Sequence, residues 1–401
     1  MKMIRFGRLP EENREAMRLT AMQGFFWAAM AVGSYQTVYL QENGFPATQF
    51  GLLNAVACAT AVLAMTFWGS VSDRSGSVKR TVILTLSLGS LLYALVPLLP
   101  MGQTYTVPLF LVCNAAICFF RSPMAAFVDN ITVRNCAEQH LNYGSIRSSG
   151  SLWYAVMCII AVQLLIPKLG VRATFWMAAL VMIPTVLLVI SCREPQSAAR
   201  AKRSRAGSGE LVKNRGFLLL LVFGFFFYVA VAFEGNFLPY LMVESGIDST
   251  NIGILLSVRA ITEIPFLFFI SRLRRRLSLR VLLMAATLLM GLECVALGLF
   301  ARSLASFALI AVLFGLGDGL YIGAATNYVY ELAPVHLRAT AHGLFVSVAQ
   351  IAGILGNLWG GVLFDAMGGK PFYLVAGAVM WISTLTLLLG SRFAPAQQSA
   401  D

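Results

Sequence analysis

The ionisable side chains that interrupt the apolar runs of this 401-residue chain are Arg121, Asp129, Arg147, Glu234, Arg259, Glu263, Glu293 and Asp318. A charge held at the middle of a bilayer costs about 3 kcal/mol on insertion scales, so each is a candidate for function. Glu263 stands four residues after Arg259, which puts both on one helical face where they pair. That pair reads either as a proton or substrate site, or as a structural ion pair holding two helices. Glu234 lies in Phe233-Glu-Gly-Asn236. Its small and polar neighbours point to a helix face lining an aqueous cavity, where Glu234 and Asn236 would bind substrate and Glu234 a proton. Asp318 is flanked by Gly315, Gly317 and Gly319, which permit close packing or local unwinding; the carboxyl reads as a proton site. Arg121 would bind an anionic group or neutralise a carboxylate on a neighbouring span. Glu293 has no motif beside it and reads as structure or lipid edge. His140, His336 and His342 fall in or next to loops, so a histidine relay in mid-membrane is excluded. If protons drive the protein, carboxylates must bind them: Glu263, Asp318, Glu234 or Asp129.

These residues need helices to hold them. Hydrophobic residues make up 58% of the chain and charged residues 12%, against about 25% charged in soluble domains. Apolar spans recur over 19–41, 49–71, 81–99, 106–130, 144–166, 173–191, 217–242, 251–270, 280–300, 305–330, 340–365 and 372–391. Each is long enough to cross a bilayer, and in lipid such segments must be helical, because backbone groups have no other partner. Of the 30 Lys and Arg, only Lys168, Arg172, Arg302 and Lys370 fall in connections on one side. Arg121, Arg147 and Arg259 lie within spans, and all the others fall on the opposite side. By the positive-inside rule both termini are cytoplasmic, in a bacterial-type cytoplasmic membrane. The same bias explains the net charge of +12 without a nucleic-acid partner. The charged start has no cleavage site after an apolar run and reads as a retained tail. Seven scattered cysteines without a C-x-x-C argue against a disulfide framework or zinc site. No metal or cofactor is expected.

The resulting organisation is a tail at 1–18, a helical half at 19–192, a basic linker at 193–216, a second half at 217–391 and a tail at 392–401. The linker, with its Ser, Ala, Gly and basic residues, reads as flexible. The halves repeat each other. Gly24-Phe25-Phe26 answers Gly224-Phe225-Phe226. Gly44, Thr48, Gln49, Gly51, Leu53 and Val56 pair with Gly246, Thr250, Asn251, Gly253, Leu255 and Val258. The fold class is therefore an all-α membrane protein with twelve transmembrane helices in two pseudo-symmetric six-helix halves, a build common among secondary transporters.

Between the second and third spans the chain reads Gly69-Ser-Val-Ser-Asp73-Arg74-Ser-Gly76-Ser-Val-Lys79-Arg80. This resembles the Gly-x-x-x-Asp-Arg/Lys-x-Gly-x-Arg/Lys-Arg/Lys loop of the major facilitator superfamily, with one extra residue before the terminal basic pair. In it Gly76 permits a tight turn and Gly69 a close helix approach, while Asp73 pairs with a helix end or Arg of the other half. Gly69, Asp73, Arg74, Gly76 and Arg80 are the expected gating loop. The later Ser271-Arg-Leu-Arg-Arg-Arg-Leu-Ser278 keeps the charges but lacks the Asp and Gly. A narrower resemblance, to the branch of lactose permease and the nucleoside and phenylpropionate proton symporters, rests on Pro123, Asp129 and Tyr143-Gly144-Ser-Ile-Arg147. It implies that Arg147 binds substrate and that Tyr154 stands where lactose permease stacks a Trp on its sugar. The gapless placement puts Ala125 or Ala126 where lactose permease has its sugar-binding acid, a departure that speaks against a galactoside. Arg259 and Glu263 before Pro265 are similar to the nucleoside and phenylpropionate members, and Arg338-Ala-Thr-Ala-His342-Gly343 fits the superfamily.

The resemblance implies a proton-coupled uptake carrier for a sugar, nucleoside or organic acid, working by alternating access as a monomer. Arg147, Arg121, Tyr154, Glu234 and Asn236 are the expected substrate contacts. The rivals are a proton-driven efflux antiporter of amphipathic compounds and a membrane-embedded lipid-modifying enzyme. The enzyme lacks a reactive His or paired acids such as Asp-Asp-x-x-Asp, so no enzymatic activity is expected.

Overall fold

The computed structural model describes residues 11–103, 105–193, 211 and 213–390. Most of the linker, residues 1–10 of the first tail and all of the tail at 392–401 lie outside the described residues. The elements are α1 (two segments, Glu11–Gly33 and Gln36–Glu42), α2 (Ala47–Ser75), α3 (Val78–Leu98), α4 (Thr106–Glu138), α5 (Tyr143–Leu169) and α6 (Arg172–Ser191). They continue as α7 (Arg215–Glu244), α8 (Ile252–Leu273), α9 (Leu279–Phe300), α10 (Leu304–Leu332), α11 (Arg338–Met367) and α12 (Gly369–Gly390). All except α1 and α8 are long and apolar enough to cross a membrane by length and composition, ten helices among the described residues. The two exceptions carry the charges: Glu15 and Arg18 in α1, and Arg259, Glu263 and Arg272 in α8.

Helix ends follow local chemistry. Asn142, Asn214 and Ser278 cap α5, α7 and α9 by accepting a backbone N–H three residues on. Gly44, Gly170, Gly246 and Gly368 all take left-handed φ of 74–80° at turns on one end of the bundle. Gly44 and Gly246 are the pair that the repeat aligns. Glycine also sets spacing in matching places: Gly24 of α1 lies against the Trp153 ring of α5, and Gly224 of α7 against the Phe345 ring of α11.

The helices up to α6 meet those from α7 along two seams, α2 on α11 and α5 on α8. At the end carrying the left-handed glycines the seams are shut. Tyr240 Oη donates to the Phe45 carbonyl at 2.9 Å, and the Phe50 ring lies 6.0 Å from Phe237. Gly51 admits the Asn357 carbonyl, and Gly253 admits the Cys158 carbonyl at what would be 2.9 Å from a Cβ. At the opposite end α2 and α11 part. A cleft of about 460 Å³ opens there, lined by Gly69, Asp73, Asn130, Arg134, Gly343 and Gln350 among others.

Candidate functional site

Arg259 is almost wholly buried, and its Nη2 donates to two carboxylates at once: Glu234 Oε1 on α7 and Glu293 Oε1 on α9, the latter at 2.7 Å. Glu234 is 1% and Glu293 0% exposed. The guanidinium lies 4.1 Å over the Phe314 ring of α10, and Tyr373 Oη of α12 donates to the Glu234 carbonyl at 2.7 Å. Five helices thus converge on one cation. This replaces the pairing of Arg259 with Glu263 expected from their spacing. Helical spacing makes two residues neighbours, but the long Arg stem reaches away from its own helix toward two fully desolvated acids in place of one part-buried acid. Two other expectations change for the same reason. Glu234 is drawn into the cluster and is 1% exposed, whereas its neighbour Gly235 faces open space. Glu293 is interior, not at a lipid edge. Asn236 is engaged too, donating to Asn357 Oδ1 of α11 at 2.8 Å.

Glu263 faces the other way, onto the α5–α8 seam. Ser151 Oγ of α5 donates to Glu263 Oε1 at 2.6 Å, and Asp318 of α10 is an electrostatic neighbour of Glu263. The glycines of α10 make the meeting possible. A Cβ on Gly315 would run into Thr262 and the Arg259 carbonyl, one on Gly319 would come within 2.8 Å of the Glu263 carbonyl, and one on Gly323 would strike Ile270. These residues recur every four positions and let α8 lie backbone-close on α10. Because α10 is continuous across Leu304–Leu332, the glycines serve close packing and not local unwinding.

The opposite wall belongs to α1, α4 and α5. Arg147 Nε lies 3.8 Å from Asp129 Oδ1, with the two side chains 25% and 32% exposed. The guanidinium sits 4.2 Å over the Trp27 ring. Gln23 Nε2 donates to Asp129 Oδ1 at 2.9 Å and Trp27 Nε1 donates to Gln23 Oε1 at 3.0 Å, so α1 holds both members in place. Tyr154 Oη lies 3.0 Å from Ser34 Oγ, whereas Trp153 turns outward and stacks on Phe25. Arg121, just before the break at Ser122-Pro123 in α4, lies 3.8 Å over the Tyr93 ring, and its Nη2 is 3.8 Å from Met30 Sδ. Among the described residues no carboxylate comes within ion-pair distance of it, so its expected role as a neutralising partner is not what the geometry shows.

In the gating loop Gly76 takes φ +66° and ends α2. Lys79 Nζ donates to the Ile190 and Cys192 carbonyls at 2.7 Å, closing the end of α6. Asp73, Arg74 and Arg80 are exposed. Gly69 has nothing within 4 Å of where a Cβ would stand; in this conformation it makes no close helix approach. Among the described residues no cluster of three His, Cys, Asp or Glu is placed to hold a metal.

Sequence reasoning missed Ser151, Gln23 and the part Glu293 plays. Ser151 left a faint signal, a hydroxyl one turn after Arg147 on a helix otherwise apolar beyond it. Gln23 and Glu293 left only their polarity inside apolar spans.

The family description "MFS_1 like family" matches residues 17–375. The uncharacterized transporter YwbF of Bacillus subtilis (strain 168) is 26% identical over 372 residues, covering 89% of each chain. The maltose permease of Geobacillus stearothermophilus is 27% identical over 378 residues, covering 91% of each. Among solved structures the nucleoside transporter NupG superposes with a TM-score of 0.76 at 14% identity, over 96% of this chain and 100% of that one.

Proposed function

This chain belongs to the MFS_1-like family of major facilitator transporters, and on that premise we propose that it couples the uptake of a small polar solute to protons by alternating access. It is a multi-pass integral membrane protein, and no enzymatic activity is assigned to it. In this reading twelve helices span the bilayer as two halves of six, α1–α6 and α7–α12, joined by the linker, with both termini cytoplasmic and the chain acting as a monomer. The aligned glycine turns and the paired seams favour two related halves. With that orientation the shut end faces outward and the cleft beside Asp73 opens to the cytoplasm.

One observation carries the coupling: Glu263, which has Asp318 as its electrostatic neighbour, accepts a hydrogen bond from Ser151 across the seam between the halves. A proton gained or lost by the pair changes what Glu263 offers Ser151, and so changes how firmly α5 holds α8. Protonation thereby biases which side of the protein is open. The solute is held from the opposite wall by Arg147, Arg121 and Tyr154, whose charged and aromatic groups suit hydroxyls, carboxylates and rings. Asp129 sets the position of Arg147. Glu234 and Asn236, bonded inside the second half, serve structure. The names of the maltose permease and of NupG support a sugar or nucleoside; organic acids share the same chemistry.

The test is proton movement in vesicles reconstituted with the protein and challenged in turn with maltose, sucrose, nucleosides and small organic acids. Alkalinisation of the outer medium with one class is expected, abolished by Glu263→Gln. Silence with every class, together with extrusion of dyes under an imposed proton gradient, would replace uptake by the efflux antiporter.

A further inference from the structure

The α2 helix begins at Ala47 behind Pro46, which has no side-chain acceptor and makes no cap. The aligned position before α8 is Asp248, whose Oδ1 accepts from the Thr250 N–H at 2.9 Å. Asp248 thereby caps the 3-10 turn Ser249–Asn251 that leads into α8 from within its own half, and the start of α2 has no such local cap. Its acceptor comes from the other half. Asp365, near the end of α11, takes the Ala47 N–H on Oδ1 at 3.3 Å, and on Oδ2 the Thr48 N–H at 2.8 Å and the Thr48 hydroxyl at 2.6 Å. Gly361, one turn earlier, makes room for it: a Cβ there would fall 2.8 Å from Thr48 Cα and 2.5 Å from the Ala47 carbonyl.

The same pattern recurs at the other end of α2. Gly361-x-x-x-Asp365-x-x-Gly368 repeats the spacing of Gly69-x-x-x-Asp73-x-x-Gly76, and both terminal glycines are left-handed, at +77° and +66°. The two helices run side by side in opposite directions, so the Asp near the end of each lies at the same end of the bundle as the start of the other. The start of α11, behind Leu337, also lacks a side-chain cap, and Gly343, further along α11, lines the open cleft together with Asp73.

We propose that Gly361 and Asp365 form a latch between the halves, which holds the end of the protein opposite Asp73 shut by capping α2 across the seam. The inference rests on the alternating-access reading above. Orphan N–H groups at a helix start need an acceptor, and a carboxylate there is favoured by the helix dipole as well. While that end is closed, α2 takes its acceptor from the other half. When the halves part there, water must replace it. The strength of the cap is thus a direct contribution to the preference for the conformation seen here. It is a contribution that the turn before α8, capped by Asp248 of its own half, does not make at the other seam.

Cys58 reports on the latch. It lies in the α2–α11 seam with its Sγ 3.8 Å from Asn357 Nδ2, beyond the shut end. The experiment uses the full chain in vesicles oriented with the shut end outward, alkylated by a membrane-impermeant maleimide and mapped by peptide mass. Asp365→Ala should raise the rate of Cys58 modification about five- to tenfold, the scale of a lost helix cap. Asp365→Asn, which keeps one acceptor oxygen, should raise it less. Pro46→Asn, which gives α2 its own cap, should raise it as well with Asp365 intact; a merely structural role for Asp365 does not predict that. Unchanged modification in Asp365→Ala and Pro46→Asn would overturn the latch. Solute exchange measured on the same vesicles decides the transport reading separately, since exchange with unchanged Cys58 rates leaves transport standing without the latch.

Discussion

Arg259 and Arg147 keep similar chemical company, each with a carboxylate beside it and an aromatic ring about one van der Waals layer below it. Their surroundings differ. Arg259 has lost its water and bonds two acids that have lost theirs. Arg147 keeps a quarter of its surface and stands at a looser distance from one acid, which is itself held by a chain of neutral donors from Trp27 through Gln23. Removing a partner from a buried cluster leaves charge with nothing to stabilise it, whereas a half-exposed pair can be re-solvated. The same residue type therefore ties five helices together in one half and remains free to exchange partners in the other.

Arg259→Ala puts the most weight on this contrast. It should cost about 3–5 kcal/mol and show as loss of monodisperse protein on size exclusion after detergent extraction. Near-normal yield would mean that the two glutamates are neutral or hydrated, and the contrast would fall. Gly319→Ala tests the close seat of α8 on α10. Overpacking there should cost about 1–3 kcal/mol and lower the thermal melting midpoint, with proton-linked uptake falling further than stability accounts for, because Glu263 moves away from Asp318. Arg147→Ala should change stability least, by about 1 kcal/mol or less, yet cut uptake at least about tenfold, the loss of the charge-assisted solute contact proposed for it. A stability loss as large as that of Arg259→Ala would make the two clusters alike.

What could be read ahead of the structure was what a single helix or turn decides. The apolar runs mark the spans, Gly76 and the aligned Gly44 and Gly246 mark left-handed turns, and the Gly-x-x-x-Asp-Arg-x-Gly loop marks the family. Partner choice between helices was not legible. Spacing places Glu263 beside Arg259, but it says nothing of Glu234 and Glu293 arriving from α7 and α9. Nor does it reveal that Asp365 reaches a helix start more than three hundred residues away. The first and eighth spans were expected to resemble the rest, and the structure shows why they are less apolar. One begins as a charged helix before its apolar part, and the other carries Arg259 and Glu263 into the bundle.

Gly69 and Gly343 flank the open cleft with empty space where a side chain would go. Judged by this conformation alone, both positions would accept almost any small residue. A protein selected for its whole cycle is judged on every conformation it visits. A survey of substitutions scored by growth on the transported solute should therefore find these positions intolerant, while one scored by folded yield finds them permissive. The gap between the two scores would outline the surface along which α2 and α11 meet when the cleft closes.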